Sequence, residues 1–240
     1  MNEKKNYSLS ERFEVAYNLI HDALKQLVDG EEDRFSVLLK VGQTRHHLID
    51  RYYNDLRQYS KLRNAIVHEK REPGLYIAQP NEEVVEHIEK IAEIFGKPMT
   101  GLSIASKEVK FFESSQSLLE VLKDIQEHGF SQYPIYEDKN YKGLLKTTHI
   151  LSWMSDTIQD GQINIANSTV ADLIPYMNEV PIEFVGKQAN IFEVEEIFEK
   201  KHREKIDLEA VIINENGEKN QWPIGLITPW DLIEIDYTID

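Results

Sequence analysis

The chain of 240 residues contains no cysteine, which excludes disulfides and thiolate metal sites and agrees with a cytoplasmic protein. No run approaches the ~20 apolar residues of a membrane span. The polar start MNEKKNYSLSER has no apolar centre of a signal peptide. The expected location is therefore the cytoplasm, with no membrane partner. Walker-type loops, G-x-G-x-x-G and H-E-x-x-H are all missing. His46 and His47 are adjacent instead of four apart, so they do not share a helix face and are expected on a solvated surface; no metal site is expected.

Positive charge is scarce but unevenly so. The net charge is −15, and hydrophobic residues make up 41%, enough for real cores. Residues 1–98 hold 15 Lys+Arg against 17 Asp+Glu, while residues 99–240 hold 12 against 25. Within the first part, residues 40–71 carry eight basic residues against three acidic ones, a stretch able to meet an anion.

The first 97 residues read as helices. Apolar residues at helical spacing run from about Glu11 to Val28, ending at Asp29-Gly30. A short helix follows at Phe35 to Lys40, then a long one from about Thr44 to Glu69 that Pro73-Gly74 stops. Asn81 opens a fourth helix that runs through Phe95 to Gly96. A four-helix bundle is expected.

After Pro98 the grain changes to short β-branched and aromatic runs alternating with amphipathic helices. Val109 to Phe112, Tyr133 to Tyr136 and Gly143 to Leu145 read as strands, with a helix opened by Ser117 and closed by Gly129. The order recurs with strands at Pro181 to Val185, Ala210 to Ile213 and Ile224 to Ile227 and a helix opened by Asn190. The fold class is α+β, with small mixed sheets flanked by helices.

Each repeat ends in a strand that runs straight into a helix start: Gly143-Leu144-Leu145-Lys146-Thr147-Thr148-His149 and, 82 positions later, Gly225-Leu226-Ile227-Thr228-Pro229-Trp230-Asp231. In the second, Thr228 can cap the helix, Pro229 suits its first position and Asp231 falls in the first turn. Such a corner can hold a phosphate on backbone N–H groups while the carboxylate accepts ribose hydroxyls. The same residues also suit an ordinary helix start.

This repeat resembles a tandem pair of CBS motifs, a Bateman module, over roughly residues 99–240. The match rests on Gly225-x-x-Thr228-x-x-Asp231 and on the lead-in Thr169-Val170-Ala171-Asp172-Leu173-Ile174. The domains implied are 1–97 helical, 98–160 CBS motif 1 and 161–240 CBS motif 2. The resemblance implies two clefts for adenine nucleotides, with Asp231 on the ribose and Thr228 near the phosphate. AMP, ADP, ATP, a cyclic dinucleotide and S-adenosylmethionine are the ligands to test. Some modules of this kind only mediate dimerisation. In the first copy Lys146 and His149 replace Thr and Asp. A neutral imidazole cannot accept two hydroxyls as a carboxylate can, and Lys146 could meet additional phosphate charge or leave that cleft to packing.

The long helix ends in Arg63-Asn64-Ala65-Ile66-Val67-His68, which resembles the ribonuclease motif of the HEPN superfamily. RNA can be cut without metal when a base takes the 2′-hydroxyl proton and a cation stabilises the phosphate. The resemblance implies His68 as acid/base, Arg63 as phosphate clamp and Asn64 as the group that fixes their geometry, on single-stranded RNA and across a homodimer. Five residues apart on an ideal helix, Arg63 and His68 stand about 140° apart. The alternative is a basic helix end in a non-enzymatic adaptor that binds a protein partner.

Overall fold

The computed structural model describes residues 7–28, 32–67, 76, 78–106, 109–159, 162–177 and 180–238. The expected helix stops at Asp29-Gly30 and Pro73-Gly74, and His68, lie outside the described residues. Among the described residues no helix is long and apolar enough to cross a membrane. The chain forms two compact units, one of Met1–Met99 with Asn190–Glu196 and Asp236–Asp240, the other of Thr100–Ala189 with Ile197–Ile235.

The first unit is helical: α1 (Leu9–Leu27), α2 (Phe35–Gln43), α3 (His47–Arg51), α4 (Tyr53–Val67) and α5 (Glu82–Gly96). Ser8 opens α1 through a reciprocal cap: Glu11 N–H donates to Ser8 Oγ at 3.3 Å and Ser8 N–H to Glu11 Oε2 at 2.8 Å. The apolar face of α1 buries Phe13, Tyr17, Ile20 and Leu24, and that of α5 buries Val85, Ile88, Ile91 and Phe95. Phe13 meets Tyr59 edge-on at 5.8 Å, and Phe35 stacks on Tyr17 at 4.5 Å.

The long helix expected from Thr44 to Glu69 is two helices, α3 and α4, with a turn at Tyr52 between them. Its start also moves. Thr44 Oγ1 donates back to Val41 O at 2.8 Å, and His46 is extended. The extended backbone turns the His46 ring inward, where Nδ1 lies 3.1 Å from Glu195 Oε2, while His47 N–H donates to Glu195 Oε1 at 3.2 Å. His46 and Glu195 are each 2% exposed, so the solvated surface expected for the histidine pair holds for His47 alone. Glu195 lies in the opening turns of α9 (Ile191–Arg203), whose Phe192 packs on Phe95 at 5.9 Å and on His46 at 5.3 Å.

The second unit holds the repeat. Its first sheet orders β1 (Phe112–Glu113), β2 (Gln132–Glu137) and β3 (Asn140–Lys146); its second orders β4 (Ile182–Gly186), β5 (Ala210–Asn214) and β6 (Gly225–Ile227). In each, the first pair is parallel and the second antiparallel. A short α6 (Gly101–Ile104) comes before; α7 (Leu118–His128) joins β1 to β2, and α9 joins β4 to β5. The strand expected at Val109 to Phe112 is instead β1 at Phe112–Glu113, where Phe112 pairs with Ile135 and Glu113 with Tyr136.

Strand alternation builds two cores. Leu144 of β3 packs with Ala210, Ile212 and Leu226, joining the two sheets face to face. Leu145, its neighbour in sequence, points the other way into a core with Phe112, Val121, Tyr133, Ile150 and Trp153. The glycines that precede these leucines answer to close packing. A Cβ on Gly143 would lie 2.7 Å from Met177 Cβ, and one on Gly225 would lie 3.0 Å from Leu102 Cδ1 and 3.1 Å from Ala105 Cβ.

Candidate functional site: the strand-to-helix corners

Strand β6 ends at Ile227, from which Thr228 leads into α10 (Pro229–Thr238), and β3 ends at Lys146, where α8 (Thr147–Thr157) begins. The two corners are closed in the same way. Asp231 Oδ2 accepts the Thr228 N–H at 2.6 Å, and His149 Nδ1 accepts the Lys146 N–H at 3.1 Å. In both, the third helical residue satisfies the backbone donor just ahead of the helix. Thr228 is held to Asp231 through both of its donors. Its hydroxyl donates to Asp231 Oδ2 at 2.7 Å, because the carboxylate is the stronger acceptor within reach.

Imidazole can act in that position only if neutral. Burial, helped by the Lys146 charge and opposed by Glu209, holds the His149 pKa below its ordinary value and keeps Nδ1 free to accept. Lys146 Nζ itself donates to Glu209 Oε1 at 2.5 Å.

A cleft of about 410 Å³ opens at the second corner. Thr228, Pro229 and Trp230 form one wall; Phe130, Ser131 and Gln132, at the entry to β2, and Asp207, Leu208 and Glu209, at the entry to β5, form others. Trp230 is 74% exposed and Phe130 40%, so two large rings stand in solvent at one cavity. By contrast Trp153 is buried in the core and Trp222 stacks on Phe111 at 4.9 Å. Lys110 adds a cation.

Of the residues expected from the sequence, Thr228 lines this cleft. Asp231 Oδ2 accepts both the N–H and the hydroxyl of Thr228. Gly225 is buried beneath α6, and Lys146 reaches the cleft through Glu209. His149 supports Lys146 from below the strand end. Sequence reading missed Phe130, Asp207 and Glu209. The signal available for them was the repeat itself, since Gln132 and Glu209 stand at the entries to equivalent strands β2 and β5.

In the helical unit Arg63 lies with its guanidinium carbon 5.8 Å from the Tyr17 ring centroid, and its Nε is buried without a hydrogen-bond partner among the described residues. Asn64 is exposed. The structure therefore places Arg63 against the Tyr17 ring, and His68 lies outside the described residues.

The family model for the CBS domain matches residues 102–156 and 170–237. No curated protein matches the chain. Among solved structures, the CBS domain of the bacterial CNNM/CorC family Mg2+ transporter in complex with ATP is 22% identical, over 66% of this chain and 98% of that one, with a TM-score of 0.42. CBSX2 in complex with AMP is 16% identical over 58% and 96%, with a TM-score of 0.40. A CBS domain-containing protein of unknown function from Kribbella flavida is 19% identical over 59% and 100%, with a TM-score of 0.43.

Proposed function

Because the chain belongs to the CBS-domain family, we propose that it is a cytoplasmic regulatory protein that binds an adenine nucleotide at the start of α10 and so controls its helical unit. The observation that carries this reading is the convergence of two exposed rings, Phe130 and Trp230, with the Thr228 corner in one cavity of about 410 Å³. That volume lies in the range of small-molecule sites. An adenine can stack on the rings, and a phosphate can take N–H groups at the first turn of α10, next to Thr228, whose own hydroxyl proton goes to Asp231. Asp231 accepts a ribose hydroxyl through Oδ1, its Oδ2 being held by Thr228.

The two corners are unequal in this reading. His149 is engaged by the Lys146 backbone and Lys146 by Glu209, so one site per chain dominates. Binding biases the helical unit only to the extent that the nucleotide favours one of its arrangements. The packing of Arg63 on Tyr17 favours the adaptor reading of that unit, in which it binds a protein partner, over an HEPN-type ribonuclease.

Thermal melting with AMP, ADP, ATP, S-adenosylmethionine and cyclic dinucleotides tests the proposal. At one hundred times its dissociation constant a ligand adds about 2.7 kcal/mol, which raises the midpoint by several degrees. Trp230 fluorescence should change at the same concentrations. A midpoint unmoved by the whole panel overturns the reading.

A further inference from the structure

The Phe130 ring that lines the cleft has a support of its own. Helix α7 ends at His128, and Gly129 caps it in the left-handed conformation, φ 71°, with its N–H donating to Ile125 O at 2.8 Å. Glycine takes that backbone without the strain a side chain would bring. The turn carries Phe130 back against the helix end. There its ring lies nearly parallel to the His128 imidazole, with 3° between the planes and 5.8 Å between the centroids.

His128 is held in its turn. Its Nδ1 faces two acceptors, Asp124 Oδ1 at 3.2 Å and the Asp124 carbonyl at 3.3 Å. A ring nitrogen between two acceptors keeps its proton, so the imidazole is anchored in one orientation whether its net charge is zero or positive. Phe130 also meets the ring of Tyr133 at 6.4 Å and 74°, and Tyr133 is buried. One face of Phe130 is thereby taken by His128, and Tyr133 limits its tilt. The other face is left to the cleft, which His128 itself does not line.

We propose that His128 is the positioning residue of the nucleotide cleft: it fixes Phe130 as a preset platform for the adenine, so affinity for the base depends on a side chain outside the cleft wall. This inference rests on the nucleotide reading of that cleft. A ring that is held before binding loses less freedom when the ligand arrives, and the saving appears as affinity.

Isothermal titration of AMP and ATP into the full chain tests it, with the wild type, His128→Ala, His128→Phe, Phe130→Ala and the variant that combines the two alanines. His128→Ala is expected to weaken AMP about threefold to tenfold, the scale of an aromatic contact. His128→Phe keeps a flat ring against Phe130 and should recover most of that loss. With Phe130 already replaced by alanine, removing His128 should change the AMP constant no further, because its route to the ligand is gone. Should His128→Ala fail to fold, His128→Gln, which keeps a donor for Asp124 and has no ring, decides in its place. A wild type that binds neither AMP nor ATP overturns the reading of the cleft and this inference with it. Two other results overturn the inference alone. One is AMP bound equally by the wild type and His128→Ala, as it would be if His128 only stabilises the end of α7. The other is a further loss in the combined variant, which would give His128 a route to the ligand that bypasses Phe130.

Discussion

Lys146 Nζ donates to Glu209 Oε1 at 2.5 Å, and Glu209 lines the cleft that Thr228 opens. The one cation that the sequence offers in place of the first signature threonine is thus answered by a carboxylate from the entry to β5. Asp207 adds a second negative charge to the wall. In the proposed reading these two carboxylates oppose the phosphate charge that Lys110 attracts, and Glu209 is expected to set the preference between nucleotides.

Glu209→Gln should therefore release Lys146 and remove one anion at once. Affinity for ATP is expected to rise about tenfold, equivalent to about 1.4 kcal/mol, with a much smaller change for AMP. Isothermal titration of both nucleotides at two salt concentrations measures the ratio; the gain for ATP should shrink at high salt. An unchanged ratio of the two affinities would show that the phosphate chain does not reach this wall.

Asp231 closes the corner and, in the proposed reading, also takes the ribose, and two substitutions separate these duties. Asp231→Ala removes the acceptor for the Thr228 N–H and should cost about 1 kcal/mol, the scale of a helix cap, lowering the midpoint by about 2–4 °C without ligand. It should also abolish most of the shift caused by nucleotide. Thr228→Val keeps the backbone bond and loses only the hydroxyl, so it should bind more weakly while melting near the wild type. Equal loss of stability in both variants would place the whole effect in the hydroxyl–carboxylate bond.

The α+β repeat was legible because strand alternation, helix caps and the second Gly-x-x-Thr-x-x-Asp are local features. Ser117, Asn190 and Gly129 mark the ends of α7 and the start of α9 as read. What could not be read was set by partners distant in sequence. His46 is extended because Glu195, 149 residues away, satisfies it, and no helical periodicity around Thr44 records that bond. Glu209 reaches Lys146 across 63 residues in the same manner. The cleft walls at Phe130 and Asp207 come from strand entries that carry no motif of their own.

The His46–Glu195 pair predicts the most sensitive position in the helical unit. Glu195→Ala leaves a buried ring nitrogen and the His47 N–H without their acceptor, and His46 Nε2 is already buried with no partner among the described residues. Leaving buried donors unsatisfied costs about 1–3 kcal/mol each, so the midpoint should fall by at least about 4 °C. Glu195→Gln keeps an acceptor and should recover much of the loss. If Glu195→Ala melts with the wild type, the pair contributes nothing net.

His149 predicts a pH dependence of known sign. Its folded pKa lies below the ordinary value, mainly through burial, so the unfolded chain binds the proton more readily. Stability from this residue is complete above about pH 6.5 and is lost as pH falls through the folded value. His149→Asp, which installs the carboxylate found at the second corner, should flatten the midpoint between pH 7 and pH 5.5 relative to wild type. An identical slope in both proteins would remove His149 from the account.

Arg63 supplies the last prediction, because its surroundings decide between two roles for the helical unit. Its guanidinium lies over Tyr17, whose own pKa is raised by burial, with the Ser60 hydrogen bond and the Arg63 charge pulling the other way. A residue that packs on a ring should reveal itself in stability: Arg63→Ala is expected to cost about 1 kcal/mol, the scale of a partly desolvated cation–π contact. The full chain, incubated with single-stranded RNA and EDTA with and without nucleotide, should leave no 2′,3′-cyclic phosphate ends. Cleavage that disappears in both Arg63→Ala and His68→Ala, while nucleotide binding survives in each, would overturn the adaptor reading and make the Arg–His segment the catalytic element. Cleavage that survives both substitutions would point to a contaminating nuclease, since neither proposed catalytic group would remain.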